Sequence, residues 1–188
     1  MKCSLMTAMC FSILIGSASA KEAETQPAVY YPGVVFKPSD GSILIEDGDS
    51  FWIGIHRVRL MGIDTPEINQ PCEAAKKSVD CQSLTMKFVK PYFTNPSLTC
   101  RPLMGKAEKP LMNDGRYVSV CFVDGVELNR LLVEEGYAVA YKLGTSKAYE
   151  DAEKVSRALK KGLHVYRFEE PIKFRSRKNK KEVCVAPK

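Results

Sequence analysis

The chain has 188 residues and, with 28 Lys and Arg against 22 Asp and Glu, a formal net charge of +6. That length suits one domain with a sizeable core, since domains commonly hold about 100 to 150 residues. So mild a positive balance is compatible with a polyanionic partner without requiring one, and the absence of a long apolar run after residue 20 excludes a spanning helix there.

Residues 1–20 have the build of a secretory signal: Lys2 supplies a positive start, Leu5 to Ile15 are mostly apolar, and Ala18-Ser19-Ala20 is a small-x-small cleavage site. The apolar run falls short of the roughly 20 residues a membrane anchor needs. A soluble protein, secreted or periplasmic after cleavage near Ala20, is the expectation, with a net charge of +5 once Lys2 is gone. Of the seven cysteines, Cys72, Cys81, Cys100, Cys121 and Cys184 remain, and an oxidising compartment would pair them. Four cysteines allow three connectivities; Cys72–Cys81 and Cys100–Cys121 are favoured by their places in the chain, with Cys184 free or used between chains. No Cys or His spacing suggests zinc, because only His56 and His164 are available beside these cysteines.

Residues 21–41, polar and with prolines, are expected to be a flexible lead-in. From Ser42 the stretches 42–46, 50–55 and 57–63 are rich in β-branched and aromatic residues, with Gly and Asp at the breaks. They predict three strands in an antiparallel meander. Between Pro71 and Phe93 the reading turns helical, with Leu84 and Phe88 four apart and Pro91 marking an end. An extended stretch at 97–100 and a polar loop from Arg101 to Asp114 precede a strand at 116–123, which closes on the turn pair Asp124-Gly125. A short amphipathic helix follows, with Leu128, Leu131 and Leu132 inward and Gly136 as its stop. The last helix runs from Lys147 to Lys161 and ends at Gly162.

The basic tail, residues 169–188, concentrates Lys173, Arg175, Arg177, Lys178, Lys180 and Lys181. Its composition predicts a disordered, solvated terminus, with a salt-dependent grip on phosphates as the functional alternative. Trp52 is expected to be buried, with base stacking as an alternative it shares with Tyr31. His56 reads as a packing or surface histidine. Five short strands with an inserted helix, about three helices in all, predict an α+β, mainly β fold: a five-stranded OB-fold barrel with a helical cap over residues 42–168.

The chemistry concentrates on the first strands. Taken singly, Asp47-Gly48-Asp49-Ser50 is a hairpin turn, Asp-Gly being a common tight-turn pair. The third strand runs into a segment that places Arg59, Asp64, Thr65 and Glu67 close together, which alone would be an ordinary surface ion pair. If the second and third strands form a hairpin, however, the start of one lies beside the end of the other, and Asp49 and Asp64 converge. Two converging carboxylates repel and call for a cation. With oxygen donors only, that cation is a hard one: calcium, ahead of magnesium or manganese. The Thr65 carbonyl is a further candidate ligand, and Asp47 a carboxylate behind the ligands. Glu67 suits a general base, and Arg59 and Arg116 suit forks for phosphate oxygens. Such a set describes phosphoryl transfer to water. The competing class is a barrel that binds nucleic acid without cutting it.

The strings Asp47–Ser50 and Arg59–Glu67, the stretch Asn113–Tyr141 and the late Ala158–Leu163 together resemble the staphylococcal nuclease (thermonuclease) family from about Ser42 to Val165. The resemblance implies calcium held by Asp49, Asp64 and the Thr65 carbonyl, Glu67 as general base, and Arg59 and Arg116 on phosphate. It also implies a monomer that hydrolyses DNA and/or RNA and leaves 3′-phosphate ends. One position departs from the pattern: a Tyr frequent two residues before the second arginine is here Asp114. His164 stands where a Trp is frequent, and is expected to pack.

Overall fold

The computed structural model describes residues 28–74, 77–141 and 147–185, with side chains 148 and 179–185 left aside. The expected signal segment and the Cys184 side chain lie outside the described residues. The fold is mixed α+β and mainly sheet. Its centre is a meander of β1 (Ile43–Ile45), β2 (Ser50–Ile53) and β3 (His56–Leu60), joined antiparallel as expected. Strand β3 then lies parallel to β9 (Arg116–Val123), Arg59 facing Val118. Three shorter strands complete this sheet against β9: β7 (Thr99–Pro102), β8 (Met112–Asn113) and β10 (Val126–Glu127). A short pair joins β4 (Ile63–Asp64) to β11 (Val139–Ala140).

The period-two alternation of strands sorts the side chains. Phe51, Ile53, Val58 and Leu60 are fully buried in the core, where Phe51 stacks on Phe93 at 4.2 Å between ring centres. Arg57, Arg59 and Trp52 point to the other face. Trp52 is therefore half-buried and donates to Glu46 at 2.7 Å instead of lying within the core. His56 packs as expected, its ring stacked on Phe36 at 4.4 Å.

Three elements differ from the sequence expectations. Residues 71–80 form a hairpin of β5 (Pro71–Ala74) and β6 (Lys77–Asp80), and the helix α1 (Cys81–Phe93) begins only after it. Asp80 caps that helix by accepting from Ser83 N at 3.1 Å, and the Cys72–Cys81 disulfide fixes the hairpin to the helix start. The described part of the lead-in, residues 28–41, packs on the fold: Phe36 is buried, exchanges two backbone hydrogen bonds of 2.9 Å with Cys100, and so ties the chain ahead of β1 to β7. Most of the tail, finally, is a helix, α4 (Pro171–Val185), so the described residues hold four α-helices, with α2 (Leu128–Glu134) and α3 (Lys147–Ala158). Proline at the first helical position is pre-set for helical φ and loses no hydrogen bond there.

The second disulfide, Cys100–Cys121, joins directly opposed residues of β7 and β9. Both favoured pairings are thus present, and two disulfides are compatible with an extracellular protein. Among the described residues no helix is long and apolar enough to cross a membrane.

Candidate active site

The β2–β3 register places Ser50 opposite Arg59, which sets Asp49 at the mouth of the hairpin. Gly48 lets the preceding turn come this close: a Cβ there would lie 2.5 Å from Thr85 Cγ2 and 2.9 Å from Thr65 Oγ1. After Leu60 the chain turns back through Gly62, and β4 delivers Asp64 to the same face. Asp49, Asp64 and Thr65 are all buried, at 2%, 1% and 3% exposure. Polar groups so deeply placed need partners, and each has them.

Arg59 joins the two acids, donating from Nη1 to Asp49 Oδ1 at 2.6 Å and from Nη2 to Asp64 Oδ1 at 3.3 Å. Asp49 also accepts from Ser50 Oγ at 2.9 Å and from Thr65 N at 3.2 Å. Asp47 accepts from Asp49 N at 3.0 Å, behind the pair. Arg116 reaches in from β9, its Nη1 donating to Ser50 Oγ at 3.2 Å. The convergence inferred for Asp49, Asp64, Arg59 and Arg116 is therefore present, and Glu67 stands on the loop after Asp64 at the wall of the same cleft. That cleft, about 570 Å³, is also lined by Arg57, Tyr141 and Arg175, whereas Tyr31 and Trp52 do not line it.

Electrostatics reflects the crowding of acids. Burial, followed by repulsion from Asp49, raises the Asp64 pKa, while Arg175 and Arg59 pull it back. Burial and the neighbouring Asp49 push Asp47 up to about 7. For Arg59, burial works against the charge, but Asp49 and Asp64 more than offset it and raise the pKa. Acids this buried and mutually repelling favour a positive species between them.

Among the described residues no three His, Cys, Asp or Glu side chains are grouped as a metal cage. The donors brought together here are two buried carboxylates, of Asp49 and Asp64. This is an all-oxygen set of the kind hard cations take when water completes the shell. Asp49 and Asp64 therefore fit such an ion, with guanidinium groups supplying the positive charge in this structure.

Two features escaped the sequence. Asp114 and Gly115 are the two turn residues of a β8–β9 hairpin, both with positive φ, at 50° and 73°. This is the turn that favours Asp-Gly, which accounts for an acid at that position; its exposed carboxylate accepts from Arg116 Nη2 at 3.3 Å. The larger surprise is Arg175 of α4. It contacts Asp64 Oδ2 at 3.1 Å from Nη2 and pairs through Nη1 with Glu67. Only the charge run hinted at it, and nothing local in the sequence directs it to the site.

A family model described as staphylococcal nuclease homologue matches residues 57–165, more than half of the chain. The chain belongs to this family. No curated protein matches it. Within the matched span of this staphylococcal nuclease homologue lie Arg59, Asp64, Thr65, Glu67 and Arg116; Asp47 and Asp49 precede it and Arg175 follows it. Membership makes a nucleic acid the expected substrate class of the cleft, and the OB-like sheet is the family's scaffold.

Proposed function

We propose that the protein is an exported, monomeric, calcium-dependent nuclease that hydrolyses phosphodiester bonds of DNA and/or RNA and leaves 3′-phosphate ends. The observation that carries this reading is the joining of buried Asp49 and Asp64 by Arg59, with Arg116 and Glu67 facing the same cleft. Asp49, Asp64 and the Thr65 carbonyl would hold the ion, with Asp47 bracing Asp49 through its backbone N–H. When bound, the cation supplies Lewis-acid withdrawal of charge from the phosphate. Glu67 takes the proton from the attacking water. Arg59 and Arg116 donate to the phosphoryl oxygens as negative charge builds on them, and being held by carboxylate and hydroxyl partners they need little reorganisation. Proton transfer and charge stabilisation thus come from residues that line one cleft.

The test is digestion of single-stranded and plasmid DNA in calcium, in chelator, and with Glu67→Gln. Cleavage that chelator abolishes and calcium restores is expected, with a loss of about 10²- to 10⁴-fold on Glu67→Gln, and end-group analysis should find 3′-phosphates. A gel in which the DNA is shifted but never shortened would instead identify a nucleic-acid-binding module and remove the nuclease assignment.

A further inference from the structure

Helix α4 does not hang free of the site. Just before it, Arg167 and Glu73 exchange backbone hydrogen bonds of 2.8 and 2.9 Å, and their side chains pair at 2.6 Å. Gln70, fully buried, accepts from Glu67 N at 3.0 Å and donates to Glu169 O at 2.6 Å. The loop that carries Glu67 is therefore tied to the segment that starts α4. Arg175 lies about one helical turn beyond Pro171, so its side chain reaches the cleft from an anchored base.

The charges explain why it settles there. Asp47, Asp49, Asp64 and Glu67 all stand in this site, and Arg59 is already shared between Asp49 and Asp64. Arg175 gives Asp64 a two-pronged contact, from Nη2 to Oδ2 at 3.1 Å and from Nη1 to Oδ1 at 3.3 Å, and pairs with Glu67 through the same Nη1. Arg175 occupies both Asp64 oxygens, whereas Arg59 touches only Oδ1, so a divalent cation that takes Asp64 as a ligand competes directly with Arg175 and is repelled by its charge. Because the segment that leads into α4, a strap from Arg167 to Glu169, is fastened at Glu73 and Gln70, Arg175 can yield by side-chain rotation while α4 stays in place.

We propose that Arg175 is the site's own counter-cation, paired with Asp64 and Glu67 until a divalent cation displaces it, so that α4 sets the affinity for that cation. This rests on reading Asp49 and Asp64 as cation ligands. It also gives Arg175 control of Glu67, which is released as a base only when the arginine yields.

The experiment is calorimetric titration of the full-length mature chain with calcium alone, without nucleic acid, for the wild type, Arg175→Gln, Arg175→Lys and Arg177→Gln. Arg175→Gln should bind calcium about tenfold tighter or better, a gain of about 1.4 kcal/mol. Arg175→Lys, which keeps the charge but loses the fork, should fall between and stands in if the glutamine variant fails to fold. Arg177→Gln, which removes a base of the same helix that pairs with Glu169 outside the cleft, should match the wild type. Unchanged or weaker calcium binding by both Arg175 variants overturns the counter-cation role, and if cleavage in calcium persists the nuclease reading stands. No calcium binding by any variant, with no cleavage, overturns both.

Discussion

Arg59 Nη1 lies 2.6 Å from Asp49 Oδ1, and this pair closes the mouth of the β2–β3 hairpin. The arginine is only 13% exposed along its side chain and the aspartate 3%, so water compensates little for a lost partner. Arg59→Ala should therefore act twice. Loss of a preorganised donor to the developing phosphoryl charge should lower kcat by about 10²- to 10³-fold. Leaving buried Asp49 without its cationic partner, while Asp64 keeps Arg175, should also destabilise the fold, by about 3 to 5 kcal/mol for a broken buried pair. Thermal melts with and without calcium would separate the two effects, since a bound cation should restore stability without restoring turnover.

The hairpin made part of this site legible in the sequence. Once strands 50–53 and 56–60 are neighbours, the distance between Asp49 and Asp64 follows from chain connectivity alone. Arg116 is harder, because it reaches the cleft through a parallel pairing of β3 with β9 across more than fifty residues; its residue type suggests a phosphate fork, and the family resemblance supports that role. Arg175 was not legible at all. A run of bases reads as a solvated tail because nothing in its own period says which base will find a buried acid. The hairpin at 71–80 resists sequence reading for a related reason: its Ala, Lys and Glu residues suit a helix locally, whereas a disulfide and the Glu73–Arg167 bridge decide otherwise.

Gly48 offers a cleaner probe of geometry than any charged residue. An added Cβ would meet Thr85 Cγ2 at 2.5 Å and Thr65 Cβ at 3.0 Å, so the turn carrying Asp47 and Asp49 must move. Gly48→Ala should cost about 1 to 3 kcal/mol, as overpacking commonly does. Activity should fall about 10²-fold or more, since a shift of about 1 Å in a catalytic constellation has that effect. A variant that folds with full kcat/KM would show that the Asp49 position tolerates displacement.

The Cys72–Cys81 disulfide closes a loop of sequence separation 9 beside Glu67 and Gln70. Replacing both cysteines by serine should reduce stability by about 2 to 4 kcal/mol. Because Gln70 and Glu73 hold the base of α4, the same change should increase proteolytic cleavage between the hairpin and α4. Denaturant melts and limited proteolysis would read these together. Equal protection of wild type and variant would mean that the hydrogen bonds of Gln70 and Glu73 alone keep the strap in place.

His164 supplies a pH dependence of defined sign. Neither ring nitrogen has a hydrogen-bond partner among the described residues, and the ring stacks on Phe168 at 5.9 Å. Burial first, then the nearby Arg157, lowers its pKa from 6.5 to about 4. The folded protein thus holds this histidine neutral over a range in which the unfolded chain protonates it. Stability from the neutral ring is complete above about pH 6.5 and is lost as pH falls toward about 4. His164→Phe keeps the aromatic packing and removes the titration. Asp47, pushed up to about 7, works in the opposite direction but is common to both proteins and cancels in the comparison. Between pH 7.5 and 4.5 the wild-type thermal midpoint should fall by at least about 2 °C more than that of His164→Phe, which corresponds to a difference on the order of 1 kcal/mol for a chain of this size. Parallel pH profiles would show that the ring is solvated in the folded state and that its burial does not resist protonation.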